Sequence, residues 1–230
     1  MRQKVGATTS RCGTRRRRAN AGRETCRSCR ARFRSAAHRS PLNPTEYFRG
    51  LLPEGEHLQY LAARAKVPSN DLYSLLARYG RDVADAVVVS ANEQDERAGG
   101  AIAYDSASLA DEVAGLDERP LALYDDSELS IPGLQNKLLL IRTDTGWARP
   151  AGGRPSTHIL KVEDRRFPGL VALEHAAMTV AHRLGLTTAE TEIINLGGID
   201  RIIVSRFDRI VDGGGQLCRA IRKTSVKRPV

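Results

Sequence analysis

Two residues of the right types for holding a phosphate stand thirteen positions apart: Lys161 in T-H-I-L-K-V and Glu174 in L-E-H-A-A-M. A buried ammonium needs anionic partners, and a nucleotide phosphate together with Glu174 would supply two. The alternative is a strand-end lysine whose stem lies on apolar surface and whose ammonium reaches water. A second stretch, S-I-P-G-L-Q-N-K-L-L-L over residues 130–140, sets Ser130, a Pro-Gly turn, Gln135 and Lys137 directly before a strand-like run. By residue type alone it is either a phosphate-handling loop or a tight hairpin entrance.

These residues need elements to position them. Residues 137–142 read as a strand, Asp144-Thr145-Gly146 as a turn, and Gly146-Trp147-Ala148 as the return. Residues 157–162 are a second apolar strand with Lys161 near its end. Residues 171–184 have helical spacing, with Leu173, Ala177, Val180, Ala181 and Leu184 inward and Gly185 just past the C-terminus. Residues 192–196 and 201–204 are two more strands around a Gly197-Gly198 turn. This predicts a small antiparallel sheet with one helix on it. A strand lysine paired with a helix glutamate in such a unit resembles the small lobe of a protein kinase, where that lysine bridges the nucleotide phosphates and the glutamate.

Upstream, Thr45 could cap a short helix, residues 57–66 carry a helical apolar stripe, and residues 69–71 start a helix with Leu72, Leu75, Leu76 and Tyr79 on one face. Gly80 stops it, and residues 86–89 form a β-branched strand. Residues 91–120 are polar, with one strand-like piece at 101–104, and read as a linker.

The net charge of +9 over 230 residues is unevenly spread. Residues 1–40 hold 13 Lys or Arg and one acid, and residues 213–230 hold five basic residues and no acid. Residues 41–212 are therefore acidic, at −8, and the high pI describes the ends. The arginine run at 15–18 lies among small residues that cannot bury enough surface to offset their ordering entropy. It could be a basic arm on nucleic acid, a disordered tail, or text of the kind GC-rich DNA gives out of frame. Cys26 and Cys29 form one C-x-x-C, with Cys12 upstream, Cys218 far downstream and His38 nearby. One such pair does not make a zinc site, so no metal-binding residue is expected. Without an apolar stretch of spanning length or a signal-like segment, the expected location is cytoplasmic.

The ordered set of S-I-P-G-L-Q-N-K-L-L-L, P-S-T-H-I-L-K-V, L-E-H-A-A-M-T-V-A-H-R-L-G-L and V-S-R-F-D-R, preceded by Y-F-R-G-L-L-P-E-G, resembles the HipA family of serine/threonine-kinase toxins from bacterial toxin–antitoxin modules. The motifs cover roughly residues 41–212. The resemblance implies an α+β fold: an N-terminal α/β subdomain, then a protein-kinase-like small lobe of antiparallel sheet plus one helix, with the helical large lobe missing. It divides the chain into a basic, disordered arm (1–40), the N-terminal subdomain and linker (41–120), the small lobe (121–212) and a basic unstructured tail (213–230).

The resemblance also assigns roles. Residues 130–137 would be a flexible loop over the nucleotide phosphates, with Gly133 letting backbone N–H groups approach, Gln135 beside it and Lys137 adding charge. Ser130 matches the autophosphorylated serine, Lys161 the nucleotide-binding lysine with Glu174 as its partner, and Ser205, Arg206 and Phe207 the hinge at adenine. ATP and Mg2+ would be the family's cofactors, and a HipB-like antitoxin, with operator DNA reached through it, the partner. The family's catalytic Asp and metal-binding residues belong to the large lobe and have no counterpart in these residues, so no catalytic residue is expected. The expectation is an inactive, truncated kinase; the alternatives are a non-catalytic antitoxin-binding fragment and a basic-arm nucleic-acid binder. Without a large lobe, Ile202, Ile203, Val204 and Phe207 are expected to lie uncovered.

Overall fold

The computed structural model describes residues 6–9, 44–91, 99–124, 127, 129–164, 166–211 and 217–220. The arginine run, Cys12, Cys26, Cys29, His38 and residues 221–230 lie outside these.

The chain starts with strand β1 (Gly6–Thr9) and helices α1 (Pro44–Arg49), α2 (Gly55–Ala65) and α3 (Leu72–Tyr79). The α1 helix begins at Pro44, whose missing N–H costs nothing in a first turn, so Thr45 lies inside it and is not its cap. Asp71 caps α3 by accepting the Ser74 amide at 3.0 Å. Gly80 follows α3 because the chain leaves no room: a Cβ there would lie 2.4 Å from the Leu76 carbonyl and 2.6 Å from the Val89 Cβ. That close approach seats β2 (Val87–Ser90) against α3. The β2 strand pairs antiparallel with β1, from Gly6 opposite Ser90 to Thr9 opposite Val87. A disordered arm over 1–40 is thus corrected for Gly6–Thr9, which cover an otherwise open strand edge.

The second part is a six-stranded antiparallel sheet in the order β3-β5-β4-β6-β8-β7. Its strands are β3 (Gly100–Ala103), β4 (Lys137–Thr143), β5 (Gly146–Ala151), β6 (His158–Lys161), β7 (Thr191–Leu196) and β8 (Ile199–Ser205). Between β3 and β4 lies α4 (Ser106–Ala114), and α5 (Leu170–Arg183) joins β6 to β7. The expected linker over 91–120 is corrected here, since β3 is an edge strand of this sheet and α4 packs on it. The helix was legible: Asp105 and Ser108 form a capping box, and Leu109 and Val113 stand one turn apart.

Strand β4 is central in both directions. Leu138 and Leu140 pack with Leu109, Val113, Leu116 and Leu160, while Leu139 joins Leu61, Leu75, Tyr79, Val83 and Ile131 on the other face. A strand covered on both faces reads as an unbroken apolar run, and K-L-L-L-I is one. The N-terminal subdomain and the sheet therefore share one core.

Two short strands, β9 (Arg209–Val211) and β10 (Leu217–Arg219), pair with each other after the sheet. The unstructured tail is corrected for residues 217–220. Arg219 reaches back to donate to the Arg81 carbonyl at 2.8 Å, so a residue that composition alone assigned to solvent is partly buried. Among the described residues no helix is long and apolar enough to cross a membrane.

Candidate functional site

Lys161 is the last residue of β6, and Glu174 stands in the second turn of α5. Their Nζ and Oε1 are 2.5 Å apart, with side chains 23% and 20% exposed. What aligns them is local. Glu163, two residues past Lys161, accepts the Leu170 amide at 2.7 Å and the Val171 amide at 3.3 Å. A carboxylate on the first free N–H groups of a helix satisfies donors that have no intrahelical partner. Gly169, at φ +86°, makes the turn into α5, and Val171 packs on Ile202 and Val204 of β8.

Lys137, at the start of β4, sits directly opposite Lys161 across the strand pair. Its ammonium donates to the Pro132 carbonyl at 2.8 Å. Gly133 has φ +111°, and a Cβ there would come within 2.8 Å of the Lys137 Nζ, so the glycine lets the ammonium lie against the loop. Gln135 donates to the Val162 carbonyl at 2.8 Å, fastening the loop to the end of β6. Sheet register therefore brings Gly133, Gln135, Lys137, Lys161 and Glu174 together. The neighbouring Lys137 and Lys161 ammonium groups face two carboxylates, Glu174 and Glu54.

Burial pushes the Lys137 ammonium down to about 8, and Lys161 adds to the effect. Its unfolded value is 10.5, so between pH 8 and 10.5 the unfolded chain binds more protons. The stability of the free protein is expected to rise across that window. Urea midpoints at both ends should show a larger gain for the parent than for Lys137→Met; an equal gain would place the lysine in solvent.

The loop itself is packed. Ser130 is 0% exposed; its hydroxyl donates to the Leu51 carbonyl at 3.3 Å and its amide to the Asp82 carbonyl at 3.2 Å. Asn136 bonds His57 at 2.9 Å and donates to Asp117 at 2.8 Å. In this conformation the loop is a joint with the N-terminal subdomain, and Ser130 meets a phosphate donor only if the loop leaves it.

Both hinge candidates border one cavity of about 570 Å³, which half-exposed Phe207 and buried Arg206 line with Met178, Ala189, Glu190, Ser205 and Arg209. Met178 lies one turn beyond Glu174 on the same face of α5. Arg206 is corrected: its guanidinium is buried and donates to Asp208 at 2.8 and 3.0 Å, to Ser156 at 3.0 Å and to the Val83 carbonyl at 2.9 Å. It is a structural group, and its side chain is spent within the protein. Asp82, Ser156, Asp208, Arg209 and Arg219 complete this network. Sequence reasoning missed them although G-R-D and F-D-R place opposite charges beside apolar segments.

Two other expectations fail on the same face. Ile202 and Val204 are buried under Val171 of α5 and Ile203 among Leu138, Leu140 and Leu160 on the other face, whereas Phe207 is half exposed as expected. The α5 helix turns Val171, Glu174 and Met178 toward the sheet, whereas Leu173, Val180 and Leu184 are exposed.

The comparisons with known proteins agree with this architecture. Residues 24–90 match the family described as HipA N-terminal domain, and residues 129–226 the family described as HipA-like C-terminal domain. The chain belongs to the HipA family. The HipA matches extend on both sides of the 41–212 span that the motifs outlined. Y4mE of Sinorhizobium fredii, whose name classes it as a candidate kinase, is 34% identical over 181 residues, covering 75% of this chain and 43% of its own length. The serine/threonine-protein kinase toxin HipA of Shewanella oneidensis is 30% identical over 167 residues, covering 69% of this chain and 36% of its own. A chain from the solved complex of HipA, HipB and operator DNA of Shewanella oneidensis superposes with a TM-score of 0.59 at 29% identity, covering 76% of this chain and 41% of that one. The chain thus spans less than half the length of these HipA relatives. Its α+β fold with a six-stranded antiparallel sheet is HipA-like.

Proposed function

We propose that this chain is the nucleotide-holding part of a HipA-type serine/threonine-kinase toxin. Lys161 and Lys137 contact the phosphates of ATP, Glu174 orients Lys161, Gly133 admits the phosphates to the loop, and the hinge backbone at 205–207 with Phe207 faces the adenine. Mg2+ enters with ATP as the counter-ion of its phosphates. The observation that carries this reading is the Lys161–Glu174 pair at 2.5 Å with Lys137 opposite it in register. Phosphoryl transfer is mostly positioning and charge neutralisation, and a strand lysine fixed by a helix glutamate is one of its recurring parts. A HipB-like antitoxin is the expected partner, with operator DNA reached through it, by analogy with the HipA–HipB–DNA complex. The cytoplasm is the corresponding location.

We further propose that residues 1–230 bind the nucleotide without phosphorylating themselves, because the Ser130 hydroxyl is buried on Leu51. Calorimetric titration of the 230-residue chain with MgATP should give saturable binding, competed by inorganic tripolyphosphate, and mass spectrometry should find Ser130 unmodified. Absence of saturable binding would refute the nucleotide reading. Phosphate on Ser130 in a preparation free of other kinases would refute the inactivity.

A further inference from the structure

We infer that Asp82 is a positioning residue for the hinge, through which the N-terminal subdomain sets how tightly the adenine end of a nucleotide is held. This rests on the nucleotide reading above. Asp82 follows α3 by three residues and is 0% exposed. One carboxylate oxygen accepts the Ser156 amide at 2.9 Å and the Ser156 hydroxyl at 2.7 Å; the other accepts an Arg209 N–H at 2.7 Å. The Arg206 guanidinium lies 3.7 Å from the first oxygen and is joined to it through the Ser156 hydroxyl.

The residues next to Asp82 repeat the pattern. The Val83 carbonyl accepts from both Arg206 and Arg209, at 2.9 and 3.1 Å, and the Asp85 amide donates to Asp208 at 2.7 Å. Residues 82–85 are therefore a rail that the hinge grips over more than 120 positions of sequence. Ser156 lies five residues before Lys161, so the same carboxylate also fixes the entry to β6. The Asp82 main chain meanwhile holds the loop, since its carbonyl accepts the Ser130 amide.

A simple core role would not need this chemistry. Buried ions are costly, and their replacement by well-packed apolar groups is often neutral or stabilising. What a fully bonded ionic knot supplies is a single geometry, because each fork and carboxylate accepts its partners in few orientations. Here that geometry is imposed on residues 206–209, of which Arg206, Phe207 and Arg209 line the cavity.

The test compares two probes on the full 230-residue chain, MgATP and inorganic tripolyphosphate, with hydrogen exchange of the amides as an independent readout. Asp82→Asn keeps the main-chain bond to Ser130 and the lysines intact. It should weaken MgATP by about tenfold, the worth of one charge-assisted hydrogen bond, and leave tripolyphosphate nearly unchanged. Exchange should quicken at Ser156 and at residues 205–209 but not in β4 or within β6. If Asp82→Asn does not fold, Ser156→Ala, which removes only the bridging hydroxyl, should show the same split with a smaller loss. Equal losses for both probes, or undiminished MgATP affinity, would overturn the proposal. If the parent binds neither probe the nucleotide reading fails by itself; exchange then decides, and uniform quickening would reduce Asp82 to a general stabiliser.

Discussion

Replacing Arg206 by Met is expected to destabilise the folded chain by about 3–5 kcal/mol, the cost of breaking a buried ion pair from one side. Its guanidinium bonds Asp208, Ser156 and the Val83 carbonyl, and Asp82 lies just beyond. Burial alone would raise the Asp82 and Asp208 carboxyls, yet the surrounding guanidinium groups hold both below the usual carboxylate range. Removing Arg206 leaves two buried carboxylates with less compensation and the Val83 carbonyl with Arg209 as its remaining donor. Arg206→Lys should recover only part of the loss, because an ammonium cannot reproduce a planar fork with three simultaneous partners. Urea denaturation measures both variants. A loss below about 1 kcal/mol for Arg206→Met would be that of an exposed pair and would contradict the burial described here.

Replacing Lys161 by Met should lower affinity for MgATP about 10- to 100-fold, since hydrogen bonds to charged groups contribute about 1.5–3 kcal/mol. The variant should still fold, because the ion pair with Glu174 is partly open to water and such pairs contribute little. Lys137→Met should cost less. That ammonium is already engaged by the Pro132 carbonyl, and burial leaves it partly neutral near pH 8. Equal affinity in parent and Lys161→Met would mean that the nucleotide, if bound, sits elsewhere.

The elements of this protein were legible where sequence period and local chemistry agreed. The α2 and α3 helices and strands β2, β4, β6, β7 and β8 stand within a few residues of expectation, because Asp71, Gly80 and the Gly197-Gly198 turn punctuate them. The orientation of α5 was not legible. Its sequence is apolar on most sides, so periodicity could not say whether Leu173 and Val180 or Val171 and Met178 face the sheet; Glu174 meeting Lys161 decides it. The α4 segment reads as linker because a stretch of Asp, Ser and Glu is polar, although Asp105 and Ser108 supply a helix cap.

The site divides in the same way. Pairing of Lys161 with Glu174 follows from a strand lysine, a short connection and a helix, and the spacing shows it. The burial of Arg206 does not, because its partners Asp82 and Ser156 lie 124 and 50 residues away in sequence. A hinge arginine looks the same in one dimension whether it serves a ligand or a core. Likewise β10 sits in a basic, glycine-flanked segment, and its pairing with β9 and the Arg219 contact to the Arg81 carbonyl, neither visible in one dimension, draw it into the structure.

The most direct measurement is affinity labelling of the 230-residue chain with an acyl-phosphate derivative of ATP, which acylates lysines held against the nucleotide phosphates, followed by peptide mapping. The account predicts label concentrated on Lys161 or Lys137, suppressed by excess ATP and lost from Lys161→Met with the first of these. Label spread over exposed lysines such as Lys66, or unaffected by ATP, would contradict a nucleotide site at the junction of β4, β6 and α5.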